Sequence, residues 1–403
     1  MSSRVWQILG WLALGSFAIG TTGYMIAGLL PAITSDLGVS TAAAGQLFTV
    51  YALAFAAGSP LLAVATSGIE RKRLLMAAMA ALALCSAFAA LTESFALLLV
   101  AQVALALAAG TFMPAASAYA AAAAPVERRG RALSIVIGGL TLAMVIGVPV
   151  GAVVGEHFGW RLAYAGVALL ALLVLVGTAA SLPPLKASAA VTLSERLAVA
   201  RRPDILGALA LTMITLAGAF SIYTYLAPFL RTIGGLSGSH VAAVLFLFGL
   251  GGAAGNLAGG AISDRGRPSR LLVVVLVALI GLFALLSLAG TFLPEAAVPW
   301  VIVPAIAIWG LVGWSFPSIQ QVRLVAMEPR LMPITLSLNA SASYAGISLG
   351  AALGSIVVAK GAIGAIGWAG AGCETLALVV LLYSLRMCAS PRSAHVQGRP
   401  SQR

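Results

Sequence analysis

Residues 240–290 read HVAAVLFLFGLGGAAGNLAGGAISDRGRPSRLLVVVLVALIGLFALLSLAG. Two apolar runs, 240–262 and 271–290, flank a loop that holds Arg265, Arg267 and Arg270. A helix needs ~20 mainly apolar residues to cross the hydrocarbon core, so each run has the length of one crossing. Arginine collects in loops left on the cytoplasmic side. The stretch therefore reads as a helix, a short basic cytoplasmic turn and a returning helix.

The same unit repeats along all 403 residues. Twelve apolar runs are found, at 6–30, 45–66, 74–92, 95–119, 132–155, 161–182, 205–230, 240–262, 271–290, 296–322, 334–359 and 362–387. Hydrophobic residues make up 61% of the chain and charged ones 8%, against roughly 25% charged in an ordinary soluble domain. Mean hydropathy is +1.06. A soluble enzyme, a secreted disulfide scaffold and a disordered chain are excluded on those figures. The first run follows only Arg4, is too long for a signal-peptide core and lacks a small-x-small cleavage site, so it reads as a retained helix.

The net charge of +12 would point to nucleic acid in a soluble protein, but no basic cluster is interleaved with aromatics. Twenty of the 23 Lys and Arg residues fall at the termini, after even-numbered runs or in the mid-chain segment; only Arg161, Arg231 and Lys360 fall on the other side. Twenty against three places both termini in the cytoplasm and supports the count of twelve. Cys85, Cys373 and Cys388 form no CxxC pair, the three histidines are scattered, and no HExxH or GxxxxGK[ST] occurs. No disulfide framework, metal site, cofactor or ATP-driven pump is expected.

The segment 183–204 opens with Pro183-Pro184, carries Arg201-Arg202-Pro203-Asp204 and interrupts the apolar pattern. It divides the chain into a six-helix half at 1–182, a cytoplasmic linker at 183–204, a second half at 205–387 and a cytoplasmic tail at 388–403. The halves look related. Pro31-Ala-Ile-Thr-Ser-Asp-Leu-Gly38-Val-Ser40 is echoed by Pro228-Phe-Leu-Arg-Thr-Ile-Gly-Gly235-Leu-Ser237, 197 positions on. Gly147, Gly151 and Gly155 are echoed by Gly346, Gly350 and Gly354 at an offset of 199. Two ordered agreements at nearly one offset argue for duplication. Small residues at every fourth position let helices pack closely; the alternative is a pair of sliding surfaces between the halves, with Gly147, Gly151, Gly346 and Gly350 as gating positions. The fold expected is all-α, twelve transmembrane helices in two pseudo-symmetric halves.

Four stretches resemble the major facilitator superfamily, in its twelve-span drug–proton antiporter family and sugar-efflux, arabinose-efflux-permease-like branch. They are Gly20-Thr-Thr-Gly-Tyr-Met-Ile-Ala-Gly-Leu-Leu-Pro31, Gly147-Val-Pro-Val-Gly151, Gly255-Asn-Leu-Ala-Gly-Gly-Ala-Ile-Ser-Asp264-Arg-Gly-Arg267 and Leu336-Ser-Leu-Asn339-Ala-Ser-Ala-Ser-Tyr344. The resemblance implies alternating access, with Asp264, Arg265 and Arg267 gating the cytoplasmic side by pairing with one another and with a helix terminus. It also marks departures. Gly23 stands where the branch has a glutamate, Gln102 where the family has an arginine, and Ser67 where the first-half loop would carry an acid. Glu374, near the middle of the twelfth run, is the acid left deep in the membrane and the candidate for proton coupling.

In this fold the first, fourth, seventh and tenth helices line a central cavity, helped by the second, fifth, eighth and eleventh. Helical spacing then selects Gln102 and Met113 on the fourth, Tyr223 on the seventh, Trp309, Phe316 and Gln320 on the tenth, and Asn339 with Ser343 on the eleventh. Thr22, Tyr24, Gln46, Tyr51 and Asn256 complete the expected lining. Its hydroxyls, amides and aromatics, without a central charge, suit a small neutral or amphipathic solute such as a sugar-like molecule or a drug. The expected protein is a monomeric exporter in the bacterial inner membrane, lying in the lipid bilayer and exchanging its solute for protons. Rivals are a facilitator or importer of the same fold and a transport-dead receptor.

Overall fold

The computed structural model describes residues 3–125, 128–186, 198–263, 268–328 and 331–389. Twelve helices are long and apolar enough to cross a membrane. They are α1 (Ser3–Tyr24), α2 (Thr41–Ala65), α3 (Arg71–Leu91), α4 (Phe95–Ala123), α5 (Arg129–His157), α6 (Trp160–Ser181), α7 (Pro203–Tyr223), α8 (Ser239–Ser263), α9 (Pro268–Phe292), α10 (Val298–Met327), α11 (Ile334–Ala359) and α12 (Ile363–Arg386). Each expected run falls on one of them. In lipid the backbone must satisfy its own hydrogen bonds, which is why apolar runs of this length fold as helices. Of the expected linker, residues 187–197 lie outside the described residues, as do tail residues 390–403.

The near end of the bundle is the one where α1 starts and α2 finishes; the far end is where α1 finishes. At the far end α1 and α7 both break and continue as short helices, Ile26–Leu37 and Leu226–Thr232. Tyr24 and Tyr223, the last residues before the breaks, stand at the offset of 199 that also separates the glycine stripes. Pro228 accounts for the second break, because its ring crowds the carbonyl of Thr224 four residues back. In α5 the backbone widens into a π-turn over Ala143–Gly147, with the Val148 N–H donating to the Ala143 carbonyl. Pro149 follows at once; it has no N–H to give and presses on the carbonyl four residues back, which a widened turn relieves.

The glycine stripes pack helices inside each set of six rather than between the sets. A Cβ at Gly346, Gly350 or Gly354 on α11 would run into the carbonyls of Met213, Ala217 and Ser221 on α7. On α5, Gly147 lies on Thr21 at the far end of α1, Gly151 on Met25 in the break that follows, and Gly155 on Leu29 just beyond. The sliding-surface role expected for Gly147, Gly151, Gly346 and Gly350 is therefore corrected: their missing side chains bring α5 onto α1 and α11 onto α7. A third stripe, Gly251, Gly255 and Gly259 on α8, meets the carbonyls of Ala307, Leu311 and Ser315 on α10. Gly350→Val should lower the melting temperature of the purified protein, at a cost of about 1–3 kcal/mol from overpacking. Gly372→Val, at a glycine whose Cβ would meet nothing within 4 Å, should melt like the parent chain.

Candidate functional site

Helices α1–α6 meet α7–α12 mainly through α2 on α11 and α5 on α8. At the far end these contacts form a seal. The Gln46 amide donates to the Ser355 hydroxyl at 2.9 Å, and that hydroxyl donates to the Ala42 carbonyl at 3.0 Å. Ser348 donates to the Thr49 carbonyl at 3.0 Å, two turns deeper. Tyr225, in the break after α7, lays its hydroxyl on Gly45 and donates to the Ala351 carbonyl at 3.2 Å. On the other flank Arg231 pairs with Glu156 at 3.3 Å, and Gly249 of α8 sits on the π-turn, where a Cβ would come within 2.6 Å of the Met144 carbonyl. Arg161 pairs with Asp36 and lies 4.4 Å over the Trp160 ring, tying the extension of α1 to α6. Its hydrogen bond holds the Asp36 carboxyl below the usual range.

Toward the near end the two sets part around a cavity of about 760 Å³. Its floor is aromatic. Tyr24 meets Trp314 edge-on at 6.2 Å between ring centres, Tyr223 lies 5.3 Å from Phe248, and Phe248 lies 4.8 Å from Trp309. Phe55 of α2 and Tyr344 of α11 stack at 3.6 Å on one side. Above the floor runs a polar belt from α7, α10 and α11. The Gln320 amide donates to the Ala208 carbonyl at 2.8 Å and to the Thr212 hydroxyl at 3.1 Å; Thr212 donates to Asn339 Oδ1 at 2.7 Å. A carbonyl only accepts, so Ala208 fixes which way the Gln320 amide points. Among the described residues its Oε1 is buried without a partner, as is the hydroxyl of Thr215, which also lines the cavity. Thr66, Arg71, Gln321 and Ser337 line the near-end mouth.

Eight of the thirteen expected lining positions come together in this wall: Tyr24, Met113, Tyr223, Trp309, Phe316, Gln320, Asn339 and Ser343. Five do not. Gln102 is fully buried on the far-end half of α4, where its amide donates to the Tyr164 hydroxyl of α6. Gln46 belongs to the far-end seal. Tyr51 is buried against Gly23, with its hydroxyl 3.1 Å from where a Cβ there would stand. Thr22 returns its hydroxyl to the Ala18 carbonyl of its own helix at 2.8 Å. Asn256 accepts from the Ser318 hydroxyl between α8 and α10. For Gln46, Gln102 and Asn256 the physical reason is that an amide in hydrocarbon is satisfied as well by a neighbouring helix as by a solute; Thr22 is satisfied within its own helix, and Tyr51 is taken up by packing on Gly23.

Glu374 lies away from the cavity, fully buried in α12 against Gly218 of α7, and neither carboxylate oxygen has a hydrogen-bond partner among the described residues. Asp264, Arg265 and Arg267 lie outside the described residues. The reading of the sequence missed Arg71 in the lining and the floor residues Phe220, Phe248 and Trp314. The aromatics carried a legible signal, since Phe220 precedes Tyr223 by one turn; Arg71 carried none beyond its charge.

Residues 12–351 match the family described as Major Facilitator Superfamily. The chain is 29% identical over 381 residues to a protein named "Uncharacterized MFS-type transporter YbcL" of Bacillus subtilis (strain 168), covering 94% of this chain and 96% of that one. It is 31% identical over 350 residues to "Inner membrane transport protein YdhP" of Escherichia coli (strain K12), covering 87% and 88%. Among solved structures, the fold is similar to a bacterial homolog of the human lysosomal transporter Spinster in an inward-facing and occupied conformation, with TM-score 0.70, 18% identity and 96% of each chain covered. It is also similar to a mutant form of the nucleoside transporter NupG, with TM-score 0.75 and 13% identity over 95% of this chain and 100% of that one.

A methyl group added at Gly45 would displace the Tyr225 hydroxyl from the far-end seal. With spin labels at the exposed far-end positions Ser35 and Lys360, Gly45→Ala should populate longer distances than the parent chain. Gly10→Ala, where a Cβ meets nothing within 4 Å, should leave the distribution unchanged. An unaltered distribution in Gly45→Ala would show that this contact does not hold the far end shut.

Proposed function

Because the chain belongs to the major facilitator superfamily, we propose that this transporter exports a small neutral or amphipathic solute from the bacterial cytoplasm by alternating access, in exchange for protons. The observation that carries the proposal is the cavity of about 760 Å³ between two sets of six helices, sealed at the far end and lined out to the near end. Twenty basic residues against three support the reading of the near end as cytoplasmic, the side on which an exporter loads. The segments 1–182 and 205–387 are the units that rock, joined by the 183–204 linker, and a monomer suffices because the cavity lies within one chain. Asp264, Arg265 and Arg267, in the loop between α8 and α9, are the proposed gate of the near end.

Proton exchange requires a group that gains and loses a proton. No acidic side chain lines the cavity among the described residues. Glu374 is the proposed carrier: its charged form would stand in apolar surroundings without a partner, a cost that favours function as the reason for keeping it. The acid-free lining and the enclosure of Glu374 behind α7 favour a second reading, a facilitator of the same fold without coupling.

Flux in proteoliposomes separates the two. A coupled exporter accumulates solute against its gradient when a pH difference is imposed, and Glu374→Gln abolishes that accumulation while sparing solute exchange at equal pH. Flux that only equalises concentrations, with or without a pH difference, would leave the facilitator.

A further inference from the structure

The three basic residues that open α3 are used in three different ways. Arg73 pairs with Glu70 at 3.3 Å and is otherwise exposed. Lys72 donates to the Ala179 carbonyl at 2.8 Å, binding α3 to α6. Arg71 alone turns to the cavity: it lines the mouth, its Nε is buried without a partner, and it forms no ion pair or side-chain hydrogen bond among the described residues. It opens α3 directly after Glu70, whose carboxylate is taken up by Arg73, and its own backbone N–H donates to the Leu185 carbonyl at 2.9 Å, so the side chain is the part of Arg71 left for a ligand. With no carboxylate among the described lining residues, this guanidinium gives the mouth an appetite for an anion.

The cavity is therefore graded along its length. Aromatic rings close the floor, the Gln320–Thr212–Asn339 belt supplies hydrogen-bonding groups in the middle, and Arg71 stands at the mouth. Flat apolar bodies are favoured against aromatic rings, and buried amides reward a matching hydroxyl or amide. A cation is opposed by Arg71 and met by no acid among the described lining residues.

We infer that the solute is an amphipath with a flat apolar body and an acidic group, bound ring-first on the aromatic floor, and that Arg71 is the specificity-determining residue that reads the acidic group. This rests on the cavity being the transport site, as proposed above, and narrows its substrate to the anionic class of amphipaths.

Three probes of one shape and different charge test it: 2-naphthoate, 2-naphthamide and 2-naphthylmethylamine, titrated by calorimetry into the purified full-length protein. The naphthoate should bind tightest and the amine weakest. Arg71→Gln should weaken the naphthoate by about tenfold or more, the worth of a charge-assisted hydrogen bond, and leave the naphthamide unchanged. Arg71→Lys should restore part of the loss, having the charge without the planar fork. Trp314→Leu, on the floor, should weaken naphthoate and naphthamide alike. The inference is overturned if Arg71→Gln weakens all three probes equally, if the amine binds as tightly as the acid, or if the parent chain binds none of them. These outcomes concern selectivity and leave the transport reading to the flux measurement, so failure of one is distinguishable from failure of the other.

Discussion

A helix in hydrocarbon gains nothing from the hydrophobic effect by leaving lipid for another helix, because both surroundings are equally apolar. What binds it is close contact: dispersion, which falls off within an ångström, and weak Cα–H···O contacts between backbones. In this chain that contact is made by glycine. The stripes on α11, α8 and α5 lay bare backbone onto α7, α10 and α1, near enough that most of their missing side chains would strike a carbonyl or a neighbouring helix. Everything else presupposes these pairs. They join α5 to α1 in the first set of six, and α11 to α7 and α8 to α10 in the second, with contacts that leave little slack.

The contact between the two sets shares this material at only two places, Gly45 under Tyr225 and Gly249 on the π-turn. The rest of its named contacts are a few hydrogen bonds, one partly exposed ion pair and stacked rings. An ion pair of that exposure is worth at most about 1 kcal/mol, and each hydrogen bond about the same. Such a seal opens and closes at a cost a bound solute or an imposed gradient can meet. The backbone irregularities gather at the same places: the breaks after Tyr24 and Tyr223, and the π-turn against which Gly249 rests. Rigid pairs within the sets and a weak seal between them are the mechanical conditions that alternating access requires.

Much of this was legible in the sequence, and the limits have a physical cause. Hydrocarbon thickness fixes the length and composition of a crossing, so all twelve helices could be read directly. The glycine spacing could be read too, but spacing names a stripe and not the helix that lies on it; the partners of Gly346 and Gly350 appear only in three dimensions. Polar residues were harder. Gln320 and Gln102 are the same residue type, each fully buried on a helix expected to line the cavity, yet one faces the cavity and the other holds Tyr164 of α6. Arg71 was hidden differently, as one of three adjacent basic residues that all satisfy the same topological rule.

Export as proposed requires the far-end seal to open. Gln46 and Ser355 are hydrogen-bonded across that seal at 2.9 Å, one from each set of six helices. With Cys85, Cys373 and Cys388 replaced by serine, Gln46→Cys combined with Ser355→Cys should form a disulfide on oxidation. The most direct measurement is solute flux in proteoliposomes before oxidation, after it, and after reduction. Flux should stop while the disulfide is present, binding from the near end should survive, and reduction should restore transport. Undiminished flux through fully cross-linked protein would contradict it.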